Sequence, residues 1–540
     1  MVLRCLLAGV VINALLSFNN VWPTLLVRPD ARLAPEAVLV WVLLLAWTWL
    51  VGRGMRWVTA SLATGVVVLA LGRYWDVTVH AVFGREISLY WDVQEGRRLL
   101  GVAIEAAGDG TIFFAIVAAA FGLIGLFVLS VVAVRTLARN ASAALSSRAA
   151  MIGTAFASGL VITNALGVQA TWPYVSKPVV PVYIEQAKRV WTSLSSRRLA
   201  NVLPASPAMT ADLALLDSAD VKMLFVESYG IATYDVADIR QVVDPARNQF
   251  AGAVAEHGLQ LVSAFVTPPT FAGGSGLSHM SLLAGIDTSD PFHYHLLLAS
   301  QRPTLLSAFR QRNYETIGVG LYSGRTPESS FYQFDYLYSA QDLQYRGPEI
   351  GIWKVPDQFA MARVAQWHPP APAGPSRFVF FPTLASHLPF APTPSVESDW
   401  QALIDQGTAD TAHGMAAQAK VDWDNLAPSY SRALTYTFDW LTGFLDQDHP
   451  RGCVLILIGD HQPASSVSGP GAAWEVPIHI VTDNTAVVQQ LLHAGFVRGI
   501  TPARQPIARL HELTPVLVDA FSTPDQSAAK IPHTRVGPNG

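Results

Sequence analysis

A helical membrane part followed by an α/β domain with a mainly parallel sheet is the architecture this sequence predicts, and three observations predict it. Long apolar runs fill the first third of the 540 residues. From about Asp220 the texture changes to short apolar strands alternating with helical stretches, the pattern of a parallel sheet with helices on both faces. Several of these strands stop at a carboxylate or run into a loop with an imidazole, and in open α/β sheets ligands gather beyond the carboxyl ends of strands.

Composition agrees. Apolar residues make up 51% of the chain and charged residues 14%, with a mean hydropathy of +0.30, the balance of a protein with a membrane part. The net charge of −4 argues against general nucleic-acid binding. Cys5 lies in the first apolar segment and Cys453 begins a strand, so no disulfide is expected.

Five membrane spans are expected, near residues 3–22, 33–51, 57–72, 112–134 and 149–168, from length and hydropathy. The first carries Asn13, Asn19 and Asn20, and the third is short. The first has no small-x-small cleavage site and further spans follow it, so it reads as an anchor rather than a cleaved signal. An odd number of spans puts the termini on opposite sides. Arg53 and Arg56 in one short loop, and Arg135, Arg139 and Arg148 in another, are cytoplasmic if the N-terminus is inside. The opposite loops carry Arg85, Arg97 and Arg98. The orientation expected is N-terminus in, C-terminus out. Arg73 to Asp76 and Gly84 to Asp92 read as an aromatic belt in a loop between the third and fourth spans.

The expected divisions are a membrane domain over 1–170, a linker over 171–217 and a catalytic-type domain over 218–540. In the linker, Ile184, Ala187, Trp191 and Leu194 recur at helical spacing beside Lys188, Arg189, Arg197 and Arg198. Such a basic amphipathic helix suits either anionic headgroups or packing on a neighbouring domain. Beyond it, strands are expected at 222–226, 259–265, 316–319, 378–381, 454–458 and 477–481, and helices at 304–311, 429–445, 487–493 and 507–520.

The strand ends carry the chemistry. The strand ending at Ile458 runs into Gly459, Asp460 and His461, which read either as half a metal site or as a capped surface turn. A hard carboxylate oxygen beside a neutral imidazole nitrogen suits Zn²⁺ or Mn²⁺. The strand ending at Val226 is followed by Glu227, and His387 lies in the loop after the strand 378–381. Gly273, Gly274 and Gly276 surround Ser275 just before an apolar run, which places Ser275 at a helix N-terminus suited to an anion. A serine hydroxyl is a poor nucleophile at neutral pH, and a divalent cation on its oxygen activates it.

In order, Glu227-Ser228-Tyr229, Ser275 before a helix, Ser386-His387-Leu388-Pro389-Phe390 and Gly459-Asp460-His461 resemble the alkaline-phosphatase/sulfatase superfamily. Five spans ahead of such a domain look most like its lipoteichoic-acid synthase and phosphoglycerol transferase branch. The resemblance implies metal ligation by Glu227, Ser275, Asp460 and His461, with Ser275 as nucleophile and His387 contacting substrate. It also implies that Trp353 and Asp357, in a stretch similar to the family's Trp-Gly-x-x-Asp, contact the headgroup, although Lys354 stands where the family has Gly. Sulfatases mature a Cys or Ser within Cys/Ser-x-Pro/Ala-x-Arg, and here those last two positions are Leu277 and His279. A plain serine alkoxide is therefore expected, with His279 replacing the Arg as a cationic contact or packing as a core residue.

The function expected is metal-dependent transfer of a phosphoglycerol- or phosphoethanolamine-type headgroup from a membrane lipid donor to an envelope glycan or lipid, outside the bacterial inner membrane. The metal expected is Mn, Zn or Mg. The alternatives are a hydrolase of phosphate or sulfate esters with the same fold, and an inactive envelope protein that binds a lipid or glycan.

Overall fold

The computed structural model describes residues 2–21, 24–52, 55–83, 87, 89–171, 173–195, 203–209, 211–320, 327–348, 355–369, 374–408, 421–423, 425–447 and 452–523. They form two compact units, Met1–Leu199 and Ala200–Gly540.

The first unit holds helices α1 Val2–Leu16, α2 Pro35–Leu50, α3 Met55–Phe83, α4 Leu89–Leu145, α5 Arg148–Ala165 and α6 Val180–Ser195, with a hairpin of strands β1 Phe18–Asn20 and β2 Val27–Pro29. Each expected span contains a helix, but the first is helical only to Leu16 and gives way to β1. Among the described residues, two segments are long and apolar enough to cross a membrane, Arg56–Ala81 in α3 and Phe113–Leu145 in α4. At 1.5 Å per residue, α1 and α2 reach only about 22–24 Å, short of a hydrocarbon core of about 30 Å.

The three asparagines explain why α1 stops early. The Asn13 side chain donates to Arg32 O at 2.9 Å and accepts from Ala34 N at 2.8 Å. Asn19 donates to Asp30 at 2.9 Å and Asn20 to Thr24 O at 2.6 Å. Amides that satisfy a turning backbone end a span. Arg73, expected in a loop, lies inside α3, which runs on to Phe83. It is buried and donates to Phe18 O, Lys177 O and the Asn19 side chain. Residues 84–86 and 88 of the expected belt lie outside the described residues.

Helix ends in this unit alternate. Leu33, ahead of α2, bridges to Val175 after α5, and Glu36 accepts from Val179 N and Val180 N at the start of α6 at 2.5 and 3.1 Å. The end of α1, the start of α2, the Arg73 level of α3 and the chain after α5 thus meet at one end.

The second unit is built on strands β3 Asp220–Val226, β4 Gln260–Thr267, β5 Glu315–Gly320, β6 Tyr336–Ser339, β7 Arg377–Pro382, β8 Cys453–Gly459, β9 Val476–Thr482, β10 Val497–Arg498 and β11 Ala508–Arg509. Its helices are α7 Ala232–Asp235, α8 Ala237–Glu256, α9 Ser275–Ala284, α10 Pro291–Leu298, α11 Leu305–Arg310, α12 Pro327–Tyr332, α13 Asp357–Trp367, α14 Trp400–Gln406, α15 Ala427–Leu445, α16 Ser465–Ser468, α17 Thr485–His493 and α18 Leu513–Ala520. The sheet order is β10-β4-β9-β8-β3-β7-β5-β6, with β11 on β4.

Neighbouring residues of a strand face opposite sides, and each side has its core. Leu224, Leu455 and Phe381 pack with Val243 of α8, Phe359 of α13 and Trp440 of α15. Met223, Ile456 and Phe378 pack with Met280 of α9, Phe309 of α11 and Leu517 of α18. Helices on both faces are thus as expected, and all six expected strands are present.

The sheet is mixed rather than simply parallel. β9 runs antiparallel to both β8 and β4, and β10 is antiparallel to β4. The connection from β8 to β9 holds only the four-residue α16, where a parallel return needs a crossover, usually a helix. The helix expected over 507–520 begins instead as β11 and a 3₁₀ turn, Leu510–Glu512.

Candidate active site

β3 and β8 are adjacent and parallel, with Val226 opposite Gly459. Their carboxyl ends therefore deliver Glu227 and Asp460 to the same place. The close fit at that point depends on Gly459, because a Cβ there would lie 1.9 Å from Tyr229 O. Ser228 takes a left-handed φ of 55°, a conformation a non-glycine residue adopts at some cost. Its N–H then donates to Asp460 Oδ1 at 2.8 Å, and its hydroxyl to Glu227 Oε1 at 2.9 Å.

Ser275 opens α9 after Gly274, which sits at φ 78°. Its Oγ donates to Glu227 Oε2 at 3.0 Å and lies 3.2 Å from His461 Nε2. His461 Nε2 is in turn 3.4 Å from Glu227 Oε1 and 3.6 Å from Asp460 Oδ2. Glu227, Asp460 and His461 are buried, and one ligand atom from each lies within 4.8 Å of the others. The four residues expected around a metal are together.

The donor set fits a divalent cation. Asp460 Oδ2 is buried with no hydrogen-bond partner, which is costly for a carboxylate oxygen unless something charged meets it. His461 Nδ1 is 2.8 Å from Gln462 O; donation there leaves Nε2 as the ligand atom, the arrangement that orients metal-binding histidines. Burial pushes the Asp460 carboxyl up to about 6, with Glu227 adding in the same direction. Burial works to lower the His461 pKa, but Asp460 and Glu227 outweigh it and the net shift is upward. Both shifts favour added positive charge at the cluster, which a bound cation would supply.

Small polar groups fix this cluster. Ser386 Oγ donates to Glu227 O at 2.5 Å and Ser278 Oγ to Asp460 O at 2.5 Å. Tyr430 OH donates to Ser228 O at 2.7 Å, and Thr383 Oγ1 accepts from Glu227 N at 3.2 Å. Sequence reading gave none of the four this role: a Ser or Thr near a strand end reads as turn chemistry, and Ser278 and Tyr430 lie inside helices.

His387 lies in the expected loop, half-buried, with Nδ1 2.7 Å from Leu388 O. Burial lowers its pKa to about 4, so the ring is neutral. Asp357 departs from expectation. It is buried, and its two oxygens accept Leu384 N and Ala385 N, each at 2.9 Å. Burial raises it to about 7 against those bonds. Asp357 therefore fastens the loop that carries His387 instead of presenting its oxygens to a headgroup. For His279 the core alternative holds. Its ring lies between Phe225 and Phe380, at centroid distances of 4.5 and 5.4 Å, and burial drives its pKa to about 4. An uncharged core ring is not a cationic contact. Trp353 lies outside the described residues.

Gly459→Ala is expected to destabilise this unit by about 1–3 kcal/mol, the range for overpacking a buried position. Thermal unfolding of the full-length protein checks this, and an unchanged midpoint contradicts the contact with Tyr229.

Residues 244–482 match a family model described as Sulfatase. No curated protein matches the chain. Solved structures with a similar fold include the lipoteichoic acid synthase LtaP of Listeria monocytogenes, 11% identical with a TM-score of 0.34, over 53% of this chain and 71% of that one. The phosphoglycerol transferase GacH of Streptococcus pyogenes, in complex with sn-glycerol-1-phosphate, is 11% identical with a TM-score of 0.37, over 62% and 82%. The C-terminal periplasmic domain of EcEptC from Escherichia coli, in complex with Zn, is 12% identical with a TM-score of 0.34, over 58% and 84%. Scores this low say nothing of this chain's substrate. The family match covers Ser275, His387, Asp460 and His461, the residues that the fold brings to the carboxyl ends of β3 and β8 or to the loop after β7. The second unit is an enzyme domain, whose residues 244–482 match the Sulfatase family.

Proposed function

We propose that this protein is a membrane-anchored, metal-dependent phosphotransferase that moves a phosphoglycerol- or phosphoethanolamine-type headgroup from a lipid donor to an envelope glycan or lipid. The observation that carries the reading is the Ser275 hydroxyl, 3.0 Å from Glu227 Oε2 and 3.2 Å from His461 Nε2 at a helix N-terminus. Glu227, Asp460 and His461, with Ser275 Oγ, would hold a divalent cation of the Zn, Mn or Mg kind. Such a cation, when bound, lowers the pKa of a hydroxyl and offsets phosphoryl charge.

Ser275 Oγ gives up its proton and attacks the phosphorus of a lipid phosphodiester. The bond from phosphorus to the lipid oxygen breaks, and that oxygen leaves with the proton that Ser275 released. The headgroup stays on Ser275 as a phosphodiester until an acceptor hydroxyl attacks the same phosphorus, gives up its proton and displaces the serine oxygen. The N-terminus of α9, where Ser275 sits, favours an anionic group beside it. His387 is neutral, with Nδ1 engaged at Leu388 O. That suits accepting the acceptor's proton better than protonating a leaving group. The matched Sulfatase family model favours a second reading, ester hydrolysis, in which water takes the acceptor's place. Product analysis with and without a glycan acceptor separates the two: transfer gives a headgroup-bearing acceptor, hydrolysis a free phosphorylated headgroup.

Two helices of membrane-crossing length and the alternating helix ends of the first unit support a multi-pass anchor in the bacterial inner membrane. With the N-terminus inside, an odd number of crossings would put the catalytic unit outside the cytoplasm. A reporter fused after Gly540 is expected to be active outside the cytoplasm. Activity confined to the cytoplasm contradicts the topology.

A further inference from the structure

α6 is held against α3 by an unusually close contact. Tyr183 OH donates to Val68 O at 2.6 Å, and a Cβ at Gly72 would lie 2.3 Å from the Tyr183 ring. Beside this contact the two helices leave an open groove of about 480 Å³, lined by Thr64, Gly65, Val68 and Leu69 of α3 and by Val180, Ile184 and Ala187 of α6 among others. The lining presents no polar surface. Ile184 is 51% exposed and Trp191 74% exposed, so α6 turns the apolar stripe expected from its sequence outward. Its inward face carries Gln186, which donates to Ile87 O at 2.7 Å.

The depth of this groove says what covers it. Its α3 half lies inside Arg56–Ala81, a segment apolar and long enough to cross a membrane. One to three turns further along α3 lie Tyr74 and Trp75, the latter 54% exposed. Aromatic residues of this kind settle at the headgroup level. Thr64 to Leu69 therefore lies about 8–16 Å deeper at 1.5 Å per residue, among acyl chains. On α6, Lys188 and Trp191 are exposed, a cation and an indole of the kind that suits anionic headgroups. A soluble partner does not reach that depth.

We infer that the groove between α3 and α6 seats one acyl chain of the phospholipid donor, with the headgroup held at the level of Trp75 and Lys188. The inference rests on the proposed lipid-donor function and adds to it a site for the part of the substrate that does not react. Remote contacts of this kind raise the local concentration of donor and fix its position relative to the membrane surface.

The test uses the full-length protein in nanodiscs of phosphatidylethanolamine and phosphatidylglycerol that include a phospholipid with a diazirine in its acyl chain. Illumination is expected to label peptides containing residues 64–69 and 180–187 above the other lipid-exposed helix surfaces. Gly65→Phe and Ala187→Phe, which fill the groove, are expected to lower that labelling at least threefold. They should also slow turnover of the lipid donor about tenfold, while leaving turnover of a soluble glycerophosphodiester unchanged. Labelling spread evenly over α3, α4 and α5, or confined to other helices, overturns the inference, as does unchanged lipid turnover in both variants. Labelling of the wild-type protein needs neither variant to fold nor any turnover. A groove that labels in a protein turning over neither substrate would leave the acyl-chain site standing and contradict the Ser275 reaction.

Discussion

Ser275→Ala is expected to abolish turnover while leaving metal affinity within about threefold of wild type. Removing a nucleophile that forms a covalent intermediate costs on the order of 10³-fold or more in rate. The loss of metal affinity is small because Glu227, Asp460 and His461 remain, and a neutral hydroxyl adds little beside two carboxylates. The substitution is also gentle on the fold. The Ser275 hydroxyl bonds only into the cluster, and alanine favours the first turn of α9 at least as well. Steady-state rates and calorimetric metal titration check both halves. Near-normal activity would place the nucleophile elsewhere. Ser278, the next hydroxyl on α9, is engaged in donating to Asp460 O, so its geometry already argues against it.

Asp460→Asn is expected to weaken metal affinity by about 10²-fold or more and to lower turnover in parallel. The neutral amide removes a formal charge from the ligand set, and its NH₂ group has a poor choice of positions. One Asp460 oxygen accepts Ser228 N at 2.8 Å and His461 N at 2.7 Å, and the other is the unpartnered oxygen. An amide nitrogen placed on the first would face two donors, so it must take the metal-facing side. The same residue sets the pH dependence. Ligation needs Asp460 ionised and His461 unprotonated. With Asp460 raised to about 6 and His461 also raised, metal affinity is expected to be full at alkaline pH and to fall as the pH drops through 7 toward 5. The loss should steepen where two protons compete, reaching on the order of 10²-fold. Affinity that does not change over this range would contradict these three ligands.

Much of the second unit was legible because its strands are short apolar runs with abrupt ends. Lys222 to Val226 and Val454 to Ile458 announce themselves, and Glu227 and Asp460 follow at once. Strand direction was not legible. An apolar run at 477–481 reads the same whichever way it points, and only the pairing of Ile456 with Ile480 reveals that β9 is reversed. Buried polar residues were the other failure. Asp357 and His279 each have a residue type suited to substrate contact, but two backbone N–H groups take the carboxylate and two phenyl rings take the imidazole. The three asparagines of the first apolar segment were visible, yet their meaning depended on partners such as Arg32 and Asp30, which only the fold supplies.

The most direct measurement is the mass of the peptide containing Ser275, taken from the full-length metal-loaded protein after incubation with a lipid donor and no acceptor. The account predicts a headgroup phosphodiester on Ser275, absent from Ser275→Ala and lost when acceptor is added. An unmodified Ser275 during active turnover, a modified residue elsewhere, or the mass of formylglycine at this position would contradict it.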